Sequence, residues 1–220
     1  MKNNEVVFIL DKSGSMQHLT SDTIGGFNSV LKEQKDNKED GEVYVSTILF
    51  NESYDIIHDR LSIDVVPDMD NKTYRASGCT ALLDAVGESI EHIEKIHKYI
   101  RKEDLPEHTL FVIITDGEEN SSHKYRKKDI KKMIEEKKNN DNWEFLFIGA
   151  NMDSISEAGS IGIDRDSAFE YMNDSIGNGM VYSALNCKIS GTRKSAAKKK
   201  CSNACLKALN IDKAKRSKNK

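Results

Sequence analysis

The chain alternates between short apolar runs and longer stretches in which apolar residues recur at helical spacing. Four of the apolar runs predict buried strands: EVVFIL (5–10), VYVSTILF (43–50), TLFVIIT (109–115) and WEFLFIG (143–149). Continuous runs of this kind are typical of strands that are covered on both faces. TLFVIIT is the strongest of the four, and we expect it in the centre of the sheet.

Helical spacing of apolar residues fills most of the segments between these runs. It predicts a helix over 20–36, a long amphipathic helix over 80–100, a helix around 130–134, a short helix over 154–160 and a last helix over 177–189. Each predicted strand is therefore followed by a helix, except after the second strand.

The second strand is followed instead by a turn, Asn51-Glu52-Ser53, and by YDIIHDRLSI (54–63), which is predicted to be its hairpin partner. Such a partner runs antiparallel and is expected at an edge of the sheet. A short final strand is expected at 168–172. The alternation indicates an α/β, Rossmann-like, doubly wound fold with a mainly parallel sheet, one antiparallel edge strand and helices on both faces.

Polar residues follow three of these elements at the places where such folds bind ligands. The first strand ends in Asp11, Ser13 and Ser15, the central strand in Asp116, and Thr80 stands at or just before the start of the long helix. Ligands bind at the carboxyl ends of the strands, where the strand order reverses. If the first and central strands are neighbours at that point, these side chains converge on one surface.

Together, these five side chains provide two carboxylates and three hydroxyls, and none of them is a His or a Cys. Hard oxygen donors suit Mg²⁺, Mn²⁺ or Ca²⁺ rather than zinc, and Mg²⁺ is the expected ion. Two carboxylates balance the charge of one divalent ion, which would remain electrophilic toward a carboxylate from outside. Taken singly, Ser13, Ser15 or Thr80 could be a helix cap and Asp116 part of a turn. Their joint occurrence in this order favours a metal site.

The segments DKSGS, SGCT and IITDG resemble the metal-ion-dependent adhesion site of the von Willebrand factor type A (vWA) domain. That signature is Asp-x-Ser-x-Ser, then a Thr, then an Asp, and the resemblance in element order extends from residue 5 to about 190. It implies five metal-site residues: Asp11, Ser13, Ser15, Thr80 and Asp116. It also implies that the hydroxyls usually bind the ion directly, that the aspartates often act through water, and that an Asp or Glu of a protein partner completes the coordination.

The resemblance implies that the chain is a protein-interaction module and not an enzyme, because in the family the ion binds an acidic side chain of a partner. Intracellular members of the family often serve as adaptors in multiprotein complexes. The longest apolar runs are far shorter than the roughly 20 residues of a membrane span, and the N-terminus lacks the layout of a signal peptide. The four cysteines are therefore expected to remain thiols rather than to form disulfides, and a cytoplasmic location is expected.

Charge is distributed unevenly along the chain, although the net charge is only −3. Residues 188–220 contain twelve Lys or Arg and one acidic residue, about +11, whereas residues 1–187 carry about −14. We therefore predict a vWA domain over 1–190 and a basic, Lys-rich tail over 191–220, expected to be mostly flexible. Small apolar residues in the tail, from Ala197 to Leu209, also fall at helical spacing, so a short, weakly amphipathic helix is an open alternative for this segment.

Other functions stay open from the sequence alone. The basic tail suits nucleic acid, anionic lipid or an acidic protein, so a nucleic-acid-associated protein is one alternative. A metal-dependent hydrolase or phosphotransferase is another, but a haloacid-dehalogenase-type enzyme needs an Asp where Ser13 stands, and no general base is evident. Phosphate-loop, dinucleotide and G-x-S-x-G motifs are absent from the expected places. Glu118, Glu119 and Asn120 are interpreted as a solvated loop.

Overall fold

The computed structural model describes residues 3–37, 41–150, 153–193 and 196–217, with side chains except at 192, 193 and 196–203. The strands of the described part are β1 (Asn4–Asp11), β2 (Val43–Phe50), β3 (Tyr54–Ser62), β4 (His108–Thr115), β5 (Trp143–Gly149) and β6 (Ala168–Glu170). Its α-helices are α1 (Thr20–Asp36), α2 (Leu82–Tyr99), α3 (Lys127–Asn140), α4 (Ser154–Ser160), α5 (Ser175–Arg193) and α6 (Ala196–Ser217). Short 3₁₀ segments join some of these elements.

The six strands form one sheet in the order β3-β2-β1-β4-β5-β6. Every neighbouring pair is parallel except β2–β3, which is antiparallel and lies at an edge. This confirms the predicted α/β, doubly wound fold with one antiparallel edge strand. The strand order reverses between β1 and β4, which pair in register from Asn4 with His108 to Leu10 with Ile114. The carboxyl ends of β1 and β4 therefore lie side by side.

Apolar layers cover both faces of the sheet, because successive side chains of a strand point to opposite faces. Phe8 of β1 belongs to the layer formed with α1 and α5, which includes Phe27 and Leu185. Ile9 belongs to the layer on the other face, where α2 and α3 contribute residues such as Ile90. Burial on both faces explains why the central strands are continuous apolar runs in the sequence.

The segment expected to be a flexible tail contains the helix α6, which packs against α5 and β6. Leu206 and Leu209 are buried in the same apolar layer as α1 and α5. Asn210 Oδ1 also accepts a hydrogen bond from the backbone N–H of Glu170 at 2.7 Å, so α6 covers the edge strand β6. A short, weakly amphipathic helix in this segment was the alternative left open from the sequence, and two leucines three residues apart supply its buried stripe among many lysines. The domain boundary near residue 190 stays a prediction.

No helix within the described ranges is long and apolar enough to cross a membrane. Cys79 is exposed and Cys205 is half-buried, and both are free thiols. The side chains of Ala197 and Cys201 lie outside the described residues.

Candidate metal site

The ends of β1 and β4 bring two buried carboxylates together. Asp11 is the last residue of β1 and is 1% exposed, and Asp116 directly follows β4 and is 2% exposed. Asp11 Oδ1 accepts a hydrogen bond from Ser13 N, and Oδ2 accepts one from Thr115 Oγ1, both at 2.6 Å. These donors hold the Asp11 carboxylate in one orientation beside Asp116.

The electrostatics of this pair are unfavourable without a cation. Burial raises the pKa of Asp11, because the charged carboxylate loses its water, and the negative charge of Asp116 adds to the shift. Hydrogen bonds from Ser13 and Thr115 oppose it. Among the described residues, no Lys, Arg or His forms an ion pair with either aspartate. A bound divalent cation would supply the missing positive charge.

The turn after β1 adds two hydroxyls. Ser13 Oγ lies 3.0 Å from Ser15 Oγ, and Ser15 Oγ donates a hydrogen bond to Asp116 Oδ1 at 2.5 Å. Ser13 precedes a 3₁₀ segment, Gly14–Leu19, but makes no side-chain cap, and Leu19 occupies the N-cap position of α1. The two serines therefore do not serve as helix caps, and their oxygens are directed toward the carboxylates.

Thr80 reaches the site on a loop that is tied to the turn after β1. Ser77 N donates a hydrogen bond to Lys12 O at 2.8 Å, and Gly14 N donates one to Gly78 O at 3.0 Å. Gly78 has a φ of 77°, a left-handed conformation that glycine adopts without steric cost. These contacts place Thr80, which is buried, beside the turn that carries the serines.

Gly117 shows that the hydroxyls of Thr80 and Ser15 share one small space. A Cβ atom at Gly117 would stand 3.2 Å from Thr80 Oγ1 and 3.7 Å from Ser15 Oγ. The absence of a side chain at this position leaves the space beside Asp116 free. The structure thus brings all five residues of the predicted site together, and their role in binding a metal stays a prediction.

Glu119 and Asn120 hold the Thr80 loop and the start of α2 in place through hydrogen bonds. Their interpretation from the sequence as a solvated loop did not include this role. Thr80 N donates to Asn120 Oδ1 at 2.9 Å, and Asn120 N donates to Thr80 O at 3.1 Å. Glu119 Oε2 accepts a hydrogen bond from Leu83 N at 2.9 Å, so its carboxylate caps the first turn of α2. Because Glu119 provides this cap, Thr80 is not needed for it. Glu118 is exposed.

Two further residues contact the site aspartates and were not predicted. The hydroxyl of Tyr74 donates a hydrogen bond to the backbone oxygen of Asp11 at 2.6 Å. Asn173 Nδ2 donates one to Asp116 Oδ2 at 2.9 Å. Both residues come from loops that are distant in sequence, and no local motif marks either of them.

The donor set fits a hard divalent cation. In the part of the chain that the structure describes, no group of three or more His, Cys, Asp and Glu side chains could hold a metal ion. The candidate site therefore depends on hydroxyls as well as carboxylates. Ser15 Oγ can donate its proton to Asp116 and still offer a lone pair to a cation. Oxygen donors of this kind suit Mg²⁺, Mn²⁺ or Ca²⁺.

Solved structures of low sequence identity share the architecture of this chain. A von Willebrand factor type A protein from Catenulispora acidiphila is 16% identical, with a TM-score of 0.55 over 86% of this chain and 43% of that chain. The pilus adhesin SpaC from Lactobacillus rhamnosus GG is 13% identical, with a TM-score of 0.64 over 87% of this chain and 30% of that chain. The chain has the von Willebrand factor type A fold.

A third structure with similarity to this vWA fold contains a metal. Proximal thread matrix protein 1 from the mussel byssus, solved with zinc in its MIDAS motif, is 13% identical. Its TM-score is 0.59 over 84% of this chain and 48% of that chain. The chain spans less than half the length of each of these three solved chains. No protein-family model and no curated protein matches its sequence.

Proposed function

We propose that the chain is a protein-interaction module that binds its partner through a divalent cation, preferably Mg²⁺. The cation is held by Asp11, Ser13, Ser15, Thr80 and Asp116, and an Asp or Glu of the partner completes its coordination. The observation that carries the proposal is the pair of buried aspartates beside three hydroxyls, without a counter-ion among the described residues. Similar folds in a pilus adhesin and in a protein with a zinc-occupied MIDAS motif support it.

The exposure of the site residues indicates where a partner would approach. Asp11, Ser13, Thr80 and Asp116 are buried, whereas Ser15 is exposed. A cation in contact with the Ser15 hydroxyl would therefore lie close to solvent. The two aspartates balance its charge, and the neutral hydroxyls leave it attractive to a further anionic oxygen. A carboxylate of the partner is the ligand that fits this opening.

The proposal includes no catalytic step. A metal-dependent hydrolase would need a general base near the metal, and we assign none. His18 stands in the turn after β1, but it is exposed and its Nδ1 lies 2.9 Å from the backbone oxygen of Ser15. We expect no Mg²⁺-dependent hydrolysis of a generic phosphate ester such as p-nitrophenyl phosphate. Turnover that requires both Mg²⁺ and Asp116 would instead favour the hydrolase.

Selection from a displayed random-peptide library tests the partner chemistry without a known partner. The full chain, loaded with Mg²⁺, is used as bait, and bound peptides are released with EDTA. The selected peptides should contain an Asp or Glu whose replacement by Asn or Gln removes binding. Peptides that bind equally in EDTA, or after that replacement, would contradict the proposal. Binding of acidic peptides that depends on exposed lysines of α6, such as Lys207, would move the function to the C-terminal helix.

A further inference from the structure

We propose that Asn173 is a sixth residue of the candidate metal site and that helix α6 holds it in position. The inference rests on the proposed function and adds a positioning residue to the same site. Asn173 lies in the short segment 171–174, between β6 and α5. Its Nδ2 donates a hydrogen bond to Asp116 Oδ2 at 2.9 Å.

Ser15 and Asn173 each donate a hydrogen bond to a different oxygen of the Asp116 carboxylate. Ser15 Oγ donates to Oδ1 at 2.5 Å, and Asn173 donates to Oδ2. A carboxylate held at one oxygen can rotate about its terminal torsion, which has a broad minimum, whereas one held at both oxygens cannot. Because Asp116 is only 2% exposed, the two donors also replace hydrogen bonds that water would otherwise provide. Asn173 therefore sets the plane in which Asp116 faces a cation.

The other end of the Asn173 amide lacks a partner. Asn173 Oδ1 is buried and accepts no hydrogen bond from any residue in the described part of the chain. A buried acceptor without a donor costs free energy, and such groups are usually satisfied by water or a ligand. Mg²⁺ in proteins usually keeps several of its waters. A water carried by the cation would supply the donor that Asn173 lacks.

Helix α6 contacts the chain on both sides of Asn173. Lys213 Nζ forms an ion pair with Glu170 at 2.8 Å, and Arg216 forms an ion pair with Asp174. The contacts to residues 170 and 174 fix both ends of the segment that carries Asn173. The position of Asn173 therefore depends on α6. Within the described residues, the side-chain hydrogen bonds to Asp116 come from Ser15 and Asn173 and not from α6, so the helix acts on Asp116 indirectly.

The support that α6 offers is rigid, because the helix is anchored in the core. Leu206 is 1% exposed and Leu209 is 2% exposed, and both pack in the layer that also contains α1 and α5. Polar contacts made from an anchored helix lose less conformational entropy than contacts made from a mobile tail. The C-terminal helix is thus a structural part of the candidate site.

Titration of Mn²⁺ into the full chain and four variants tests the inference. Asn173→Leu keeps the approximate size of the side chain but removes both polar ends, and it should weaken Mn²⁺ affinity about tenfold. Arg216→Met should weaken it about threefold, and Arg216→Lys, which retains a cation for Asp174, should restore most of the loss. Lys215→Met alters an exposed neighbour on the same helix and should leave affinity unchanged.

A double variant separates a role through Asn173 from a general structural effect. Asn173→Leu/Arg216→Met should bind Mn²⁺ no more weakly than Asn173→Leu alone, because Arg216 acts through Asn173. In the metal-free protein, Arg216→Met should speed hydrogen exchange at the amides of 170–176, whereas Lys215→Met should not.

Four results would overturn the inference, and one of them belongs to the proposed function. Wild-type affinity in Asn173→Leu would remove Asn173 from the site. A full additional loss from Arg216→Met in the Asn173→Leu background, or unchanged exchange at 170–176, would remove the role of α6. If wild type binds no divalent cation at all, the proposed function fails and this inference fails with it.

Discussion

Ser15 Oγ donates a hydrogen bond to Asp116 Oδ1 at 2.5 Å, although the two residues are 101 positions apart in the chain. The contact exists because β1 and β4 are adjacent parallel strands and the turn after β1 lies over the end of β4. A hydroxyl from the first motif and a carboxylate from the third therefore belong to one site. The alternative explanations, a helix cap and an isolated turn, do not account for this contact.

Replacement of Asp11 by Asn should stabilise the metal-free protein. Asn can keep both hydrogen bonds, since Oδ1 accepts from Ser13 N and Nδ2 can donate to Thr115 Oγ1, whose own proton can turn to Gly117 O. Because burial raises the pKa of Asp11, the ionised carboxylate is unfavourable in the folded state at neutral pH. We expect Tm in EDTA at pH 7 to rise by about 2–4 °C, as for roughly 1 kcal/mol in a chain of this size.

The pH dependence of this difference has a definite sign. The folded state binds the Asp11 proton more tightly than the unfolded state, so stability from this group is complete below its ordinary pKa of 3.8 and is lost as pH rises through the raised value. The advantage of Asp11→Asn should therefore grow with pH and vanish in acid. Saturating Mg²⁺ should raise the Tm of wild type but not of the variant. A variant less stable than wild type in EDTA at pH 7 would contradict the buried-charge explanation.

Glu144 should make the protein sensitive to acid far from the candidate metal site. It pairs with His108 at 3.1 Å and with Lys188, which is buried. Burial opposes its ionisation, but the hydrogen bond from His108 and the charge of Lys188 outweigh burial and lower the pKa of Glu144 to about 2. Glu144→Gln should lose roughly 1–2 kcal/mol of unfolding free energy at pH 7, a value reduced because Glu144 is partly exposed.

The loss in Glu144→Gln should depend on pH. A lowered pKa contributes stability above the ordinary value of 4.5, and that contribution is lost as pH falls toward 2. Urea unfolding of wild type and Glu144→Gln at pH 7 and near pH 2 measures the difference at both ends. A difference of equal size at both pH values would show that the charge of Glu144 is not its source.

Gly117→Ala should weaken cation binding without unfolding the protein. The added Cβ would stand 3.2 Å from Thr80 Oγ1 and would occupy space that the hydroxyls share. We expect Mn²⁺ affinity to fall about three- to tenfold, because the neighbours must shift to relieve the contact. Gly25→Ala is the matched control, since a Cβ at that position in α1 meets nothing within 4 Å. Equal Mn²⁺ affinity in the two variants would place the cation elsewhere.

Leu209→Ala should test whether α6 is part of the folded domain. Leu209 is 2% exposed and packs in the core, so its truncation should cost about 2–4 kcal/mol of unfolding free energy. Ile211 lies two residues further along α6 and is 53% exposed, so Ile211→Ala should change stability by less than about 0.5 kcal/mol. Guanidinium unfolding measures both. Equal, negligible effects would indicate that the segment is a solvated tail.

The strands and the core of the site could be predicted because they depend on patterns with a direct physical cause. Runs such as TLFVIIT are apolar because β4 is covered on both faces, and the run alone identifies the strand. The adjacency of Asp11 and Asp116 follows from the topology, since sheets of this class reverse their order between two central strands and bind ligands there.

The residues that the sequence did not identify act through contacts with no local signature. Asn173 and Glu119 stand in polar loops, and their roles depend on which distant backbone or carboxylate the fold places beside them. The sequence left a helix in the segment of α6 only as an open alternative, because its buried stripe consists of only a few residues such as Leu206 among many lysines.

The backbone conformation of Arg60 is another feature that the sequence did not indicate. Arg60 adopts a φ of 47° within the edge strand β3, and a positive φ is uncommon for an Arg in a strand.

Calorimetric titration of Mn²⁺ and Mg²⁺ into wild type, Asp116→Asn and Glu118→Gln tests the metal site most directly. Glu118 is the exposed neighbour of the buried Asp116, so the two variants remove the same charge from different places. The predicted result is one saturable cation per chain in wild type and in Glu118→Gln, and loss of binding in Asp116→Asn. No saturable binding by wild type, or equal binding by wild type and Asp116→Asn, would contradict the proposed cation-dependent interaction.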